Sequence, residues 1–170
     1  MTFLVKSLAL IRKACLWVAI AATFLMFAVV AFNILARGLF DATGGGVNMM
    51  ISGAIELSQY ALMISIFAAI PAMLGTGLIR VDILSKQFPI WLHRITERLW
   101  LLLIAGFAAV LFMAFFEFAQ TAFDRGDQTQ DLRWPLWPFY AVAAIECFAL
   151  MILAVGEMLG LTVKPVVVEA

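Results

Sequence analysis

The amino-acid sequence predicts an all-α membrane protein with four transmembrane helices, an amphipathic segment in the membrane plane, and both termini in the cytoplasm. Three observations support this fold class. The 170-residue chain is 65% hydrophobic and 13% charged, with a mean hydropathy of +1.07, whereas a soluble domain carries about 25% charged residues. Charged residues bound four long apolar runs. Lysine and arginine gather on one side of those runs, as they do on the cytoplasmic side of membrane proteins.

The composition also limits which functions are open to the chain. The formal net charge is +0, so no overall field attracts nucleic acid or acidic substrates. Cys15 and Cys147 lie far apart without a C-x-x-C motif, which indicates apolar packing residues rather than a metal or redox site. His93 is the single histidine, and a bis-histidine haem needs two. We therefore predict no enzyme, no cofactor, no metal site and no nucleic-acid partner.

The first apolar run predicts a transmembrane helix over about residues 14–37, between Lys13 and Arg37. Such a helix needs about 20 apolar residues, whereas the apolar part of a secretory signal has about 7–15. We therefore interpret the run as an uncleaved signal-anchor helix. The preceding residues 2–12 are weakly amphipathic and are compatible with an N-terminal in-plane arm.

The second run predicts a transmembrane helix over about residues 51–75. Glu56 lies about five residues inside its outer end, which is less than about 10 Å from the interface. We therefore expect its carboxylate to extend to the interface or to pair with an outer-loop arginine. Those arginines are Arg37, Arg125 and Arg133.

The stretch GLIRVDILSKQFPIWLHRITERLW (77–100) is charged, yet it has an apolar helical face. That face holds Val81, Leu84, Phe88, Trp91, Leu92, Ile95 and Leu99. The pattern predicts one or two in-plane helices over 81–97, with a break before Pro89. An ordinary connecting loop is the alternative.

Charged side chains of this segment have expected roles if it lies in the membrane plane. Lys86, Arg94 and Arg98 would bind phospholipid headgroups. Arg80 would lie at the phosphates, and Asp82 would cap the following helix. We expect Arg80 and Asp82 to fix the turn out of the second helix.

The remaining runs predict a third helix over about 99–123 and a fourth over about 135–158. Proline fits the first turn of a helix, so we expect the fourth helix to begin at Pro135. Trp137 and Tyr140 lie near its outer end, as interfacial aromatic residues do. Glu157 lies near its cytoplasmic end, where we expect its side chain to be solvated.

Glu146 lies about twelve residues into the fourth helix, or about 18 Å, near the bilayer midplane. An ionisable group at that depth is a candidate functional residue. Two interpretations stay open. The carboxyl group bonds a neighbouring helix, in this chain or in a partner, or it lies on an ion or proton path.

The distribution of basic residues predicts the topology. With the N-terminus inside, eight of the eleven lysines and arginines fall in inner segments, and three fall in the outer loops. This bias predicts that both termini are cytoplasmic. We expect one multi-pass domain over residues 1–170.

Three short motifs stand out beside these patterns. They are Glu56-Leu with Tyr60 at the start of the second helix, GLIRVDIL (77–84) at its end, and PLWPFY (135–140) at the start of the fourth. Together with the span count over about residues 10–160, they resemble the small, DctQ-like (Q-type) subunit of tripartite ATP-independent periplasmic (TRAP) transporters.

The resemblance implies a small permease subunit, in the bacterial inner membrane, of a sodium-coupled secondary transporter that imports an organic-acid-type solute by symport. Its partners would be a large elevator-type TRAP membrane subunit, forming a heterodimer, and a periplasmic substrate-binding protein. The small subunit would act as a membrane scaffold and help dock the binding protein. The candidate structural or partner-interface residues are Glu56, Tyr60, Arg80, Asp82, Pro135, Trp137, Tyr140 and Glu146. A stand-alone homo-oligomeric channel or small transporter, with Glu146 lining the path, is the alternative.

Overall fold

The computed structural model describes residues 2–74 and 90–161, without the side chains at positions 2, 90 and 92–94. These residues form four α-helices and no β-strand: α1 (Thr2–Ala42), α2 (Ala54–Met73), α3 (Ile90–Arg125) and α4 (Trp137–Met158). All four helices are long and apolar enough to cross a membrane. The predicted all-α fold with four membrane helices is therefore confirmed.

Two of the helices are longer than a membrane span requires. α1 has 41 residues, so the predicted arm 2–12 and the first span are one continuous helix. At about 1.5 Å per residue it is about 60 Å long, about twice the thickness of the hydrocarbon core. α3 has 36 residues, and it includes the last part of the predicted in-plane segment 81–97.

Most of that in-plane segment lies outside the described residues. Arg80, Asp82 and Lys86 fall in the undescribed range 75–89, and the side chain of Arg94 is also undescribed. Arg98 is exposed on α3. The in-plane orientation, the headgroup contacts and the roles of Arg80 and Asp82 therefore stay predictions.

The fourth helix begins slightly later than expected. α4 starts at Trp137, and Pro138 is the proline of its first turn. Pro135 lies before the helix, in an isolated antiparallel bridge with Gln128. Either proline would suit a first turn, because that turn has N–H groups without intrahelical partners. The pairing of Pro135 with Gln128 leaves Pro138 in this position.

α4 is the central helix of the bundle. α1 packs against α2, α3 packs against α4, and both α1 and α2 also contact α4. Small side chains on the buried face of α4 let its neighbours approach closely, as in other membrane helices. They are Ala143, Ala144, Cys147, Ala149, Ala154 and Gly156. Large apolar side chains cover the outer faces of α1 and α3 instead.

The bundle has two distinct ends. At the terminal end, the beginning of α1 meets the ends of α2 and α4, and Leu8 and Leu74 pack there with Leu150 and Leu153. At the loop end lie the two connections 43–53 and 126–136. Under the predicted topology, the terminal end is cytoplasmic and the loop end is periplasmic.

Candidate functional site

The carboxylate of Glu56 binds the tip of the second loop at the loop end. Its Oε1 accepts a hydrogen bond from the Gln130 N–H at 2.8 Å. Its Oε2 accepts from the N–H groups of Asp131 at 3.2 Å and Leu132 at 3.3 Å. Hydrogen bonds to an ionised group are the stronger kind. Glu56 therefore joins the first turn of α2 to the loop between α3 and α4, and we call this contact the Glu56 latch.

The hydrogen-bond partners of Glu56 in the latch differ from the expected ones. The sequence suggested an arginine or the membrane interface, but the carboxylate accepts from three backbone N–H groups. Its position in the first turn of α2 also places the negative charge at the positive end of the helix dipole. Three backbone N–H groups of the loop therefore bind the carboxylate, in place of an arginine side chain or the membrane interface.

The loop is folded so that its tip can reach Glu56. Thr129 and Trp134 close it reciprocally: the Thr129 N–H donates to the Trp134 carbonyl at 2.8 Å, and the Trp134 N–H donates to Thr129 Oγ1 at 3.0 Å. The Leu136 N–H donates to the Asp127 carbonyl at 3.0 Å. Arg133 has a φ of 53°, in the left-handed region, and thereby helps to reverse the chain.

Gly53 permits the close approach of this loop to α2. It has a φ of +75°, and a Cβ built on it would lie 2.6 Å from Leu132 Cγ and 3.2 Å from Asp131 Cβ. Glycine alone adopts this backbone conformation without steric cost and leaves that space empty. Gly53, the residue before α2, thus leaves room for the same loop that Glu56 binds.

Aromatic pairs continue the contact below the latch. The Tyr60 ring stacks on Phe139 at 4.4 Å between centroids. Tyr140 packs on Phe118 at 6.0 Å, and Trp137 meets Phe123 edge-on at 5.8 Å. Such pairs contribute about 0.5–1.5 kcal/mol each beyond the buried area.

The structure therefore brings two of the three sequence motifs together. Glu56 and Tyr60 of one motif lie against the loop and the residues 135–140 of the other. We call this group of contacts the loop-end cluster. The sequence named these residues, but it did not show that they touch. The third motif (77–84) lies outside the described residues.

Glu146 faces the interior of the bundle. It is 4% exposed, and neither carboxyl oxygen has a hydrogen-bond partner among the described residues. Its neighbours in sequence and across the α1–α4 contact include the buried thiols of Cys147 and Cys15. Glu146 thus points away from lipid, while its bonding or ion-path role stays a prediction.

A buried ion pair at the terminal end was missed by the sequence reasoning. Arg12 is 1% exposed, and its Nη2 donates to Glu157 Oε1 at 2.6 Å and to the Leu74 carbonyl at 2.7 Å. The expectation that Glu157 is solvated is therefore wrong, since its side chain is mostly buried and paired. This contact, the Arg12 clamp, joins α1, the end of α2 and α4.

A hydroxyl pair adds a contact in the middle of the bundle. The hydroxyls of Thr23 on α1 and Ser65 on α2 share a hydrogen bond. Thr23 also donates to the Ala19 carbonyl at 2.8 Å. These polar groups, like the latch and the clamp, join helices or hold a loop on a helix. Among the described residues, no group of three or more His, Cys, Asp or Glu side chains is placed to hold a metal.

A known protein family matches most of the chain. The family described as "Tripartite ATP-independent periplasmic transporters, DctQ component" matches residues 26–163, from the second half of α1 to just beyond α4. No curated protein and no solved structure matches the chain significantly.

Proposed function

Because the chain belongs to the DctQ component family of tripartite ATP-independent periplasmic transporters, we propose that it is the scaffold subunit of such a transporter. It packs on the large membrane subunit, which carries the solute by an elevator motion, and it enlarges the static part of the complex in the bilayer. The complex imports an organic-acid-type solute by symport with sodium. The chain itself has no catalytic role in this proposal.

The fastening of the bundle at both ends is the observation that carries this proposal. The Glu56 latch joins α2 to the loop between α3 and α4. The Arg12 clamp joins α1, α2 and α4 at the opposite end. A subunit that moved its helices to carry solute would have to break such contacts, whereas a scaffold benefits from them.

The loop end is the surface that we propose for docking the periplasmic binding protein. The predicted topology places it in the periplasm. Glu56 and Thr129 accept hydrogen bonds from its loop backbone. The surface is therefore preorganised, and little free energy is needed to order the loop when a partner binds. At the other end, the cytoplasmic termini and the exposed Arg98 would lie near the phospholipid headgroups of the inner membrane.

The alternative of a homo-oligomeric channel has less support. A pore between copies needs its polar lining on the surface of each copy. Glu146 is instead enclosed by the helices of a single chain.

Reconstitution in proteoliposomes tests the proposal. We expect sodium-driven uptake when this chain, the large subunit and the binding protein are all present, and loss of uptake when this chain is omitted. Solute flux through vesicles that contain this chain alone would contradict the scaffold role and favour the channel. Full uptake without this chain would also contradict it.

A further inference from the structure

Glu146 lies on the face of α4 that packs against α1. The Arg12 clamp joins the two helices at the terminal end. Next to it, a Cβ built on Gly156 of α4 would lie 2.8 Å from Leu8 Cδ1 of α1. About three turns along α4 from the clamp, Glu146 lies within electrostatic range of the Cys15 thiol of α1. The carboxyl group is therefore part of the contact between these helices, which we call the α1–α4 seam.

Among the described residues, no positive charge is placed to neutralise a Glu146 carboxylate. The parts of the other helices that run through the middle of the bundle are 14–36, 61–73 and 99–116, and they contain no lysine, arginine or histidine. Arg12 is bound to Glu157, which lies about 16 Å along α4 from Glu146 at 1.5 Å per residue. Glu146 is 4% exposed, and neither carboxyl oxygen has a hydrogen-bond partner within the described part of the chain.

A buried carboxyl group without a partner is more stable with its proton than without it. An ionised carboxylate loses its hydration on burial, and a buried acid avoids that cost by remaining neutral. The titratable groups that face Glu146 offer no counter-ion, since they are the thiols of Cys15 on α1 and of Cys147 on its own helix. The middle stretches of α2 (61–73) and α3 (99–116) contain no titratable side chain. These surroundings favour the protonated acid.

We propose that Glu146 is a buried proton-binding site, a carboxylic acid that keeps its proton at neutral pH and whose ionisation weakens the packing of α1 on α4. Ionisation breaks the O–H bond and passes the proton to water, which leaves a carboxylate without a counter-ion in the α1–α4 seam. Separation of α1 from α4 lets water reach that carboxylate and solvate it. The inference concerns the chain by itself, so it does not depend on the proposed function.

The pH dependence of unfolding in detergent micelles tests the coupling. The folded chain holds the Glu146 proton at a pH where the unfolded chain has released it, so the stability of the fold falls as the pH rises. Over that range we expect the unfolding equilibrium constant of the wild type to rise about tenfold per pH unit relative to that of Glu146→Gln. Glutamine has a similar size and stays neutral, so it stands in for the protonated acid.

Glu117→Gln is the matched control for this measurement. Glu117 is exposed on α3, so we expect this variant to keep the pH dependence of the wild type. The same pH dependence in the wild type and in Glu146→Gln would overturn the proposal. A Glu146→Gln chain that does not fold would also overturn it, because a neutral side chain of the same shape should replace a neutral acid.

Infrared spectroscopy of the folded chain tests the protonation state directly. A protonated carboxyl group has a C=O stretching band that a carboxylate lacks. At neutral pH we expect this band in the wild type and in Glu117→Gln but not in Glu146→Gln. A wild-type spectrum without the band at neutral pH would overturn the proposal whatever the unfolding measurements show.

The thiol of Cys15 reports whether the seam opens. In a Cys147→Ala background Cys15 is the single thiol of the chain, and its buried position slows alkylation by a maleimide. At alkaline pH we expect faster alkylation with Glu146 present than with Glu146→Gln, because only the former creates a charge in the seam. Equal alkylation rates in the two chains would show that ionisation does not separate α1 from α4 and would overturn the proposed coupling.

Discussion

Arg12→Ala is expected to lower the free energy of unfolding of the isolated chain by about 3–5 kcal/mol, because it leaves a buried carboxylate without its partner. The individual bonds of Arg12 give a free-energy loss of similar magnitude. Arg12 makes two short bonds, to Glu157 at 2.6 Å and to the Leu74 carbonyl at 2.7 Å. Hydrogen bonds to charged groups contribute about 1.5–3 kcal/mol each.

Unfolding in detergent micelles, followed by tryptophan fluorescence and circular dichroism, measures this loss. Lys13→Ala is the matched control, since Lys13 is the next residue on α1 and is exposed. We expect it to stay within about 0.5 kcal/mol of the wild type.

A double variant separates pairing from general damage. Arg12→Met combined with Glu157→Leu removes both charges, so we expect it to recover most of the stability that Arg12→Ala loses. Wild-type stability of Arg12→Ala would refute the clamp. So would a double variant whose loss equals the sum of the losses of Arg12→Met alone and Glu157→Leu alone, because uncoupled residues behave in that way.

Three further predictions concern the loop end and the centre of the bundle. Glu56→Gln should weaken the three hydrogen bonds from the loop, because a neutral amide oxygen accepts less strongly than a carboxylate, and should therefore speed hydrogen exchange of the amides at 130–132; unchanged exchange there would contradict the latch. Gly53→Ala should destabilise the chain by about 1–3 kcal/mol more than Gly44→Ala, because both glycines have positive φ but only a Cβ at Gly53 meets Leu132; equal losses in thermal unfolding would contradict that contact. Glu146→Gln should keep both the complex and solute uptake, whereas Glu146→Lys should prevent assembly because it puts a charge in the bilayer interior; an intact complex without uptake in the Gln variant would favour an ion path.

The number of membrane helices was readable from the sequence, because apolar runs of span length are set by the thickness of the bilayer. The full length of α1 and α3 was not. Helical backbone continues past the membrane edge whenever the following residues tolerate it, and charges such as Lys13 mark the edge of an apolar run rather than the end of a helix.

The partners of the charged residues were harder to predict. Glu157 pairs with Arg12, which lies 145 positions away in the sequence. A hydropathy pattern does not predict which distant charged residues pair. Glu56 was named from the sequence as a structural or partner-interface candidate, and its hydrogen-bond partners are loop amides presented by a turn with Arg133 at positive φ. A glycine at position 133 would have indicated the positive φ from the sequence, but the residue is an arginine. The motif residues Tyr60 and 135–140 could be named, while their stacking needed the packed helices.

The Arg12 clamp has a consequence for biogenesis. The carbonyl of Leu74 lies at the end of α2, where carbonyl groups have no hydrogen-bond partner within the helix. Arg12, which is 62 positions earlier in the chain, caps it. During synthesis α1 therefore enters the membrane before the helix whose end it will complete. The carboxylate of Glu157 comes last, with the final helix. A chain that ended before α4 would have no Glu157 carboxylate for the Arg12 guanidinium, so the clamp can form only after the last helix has been made.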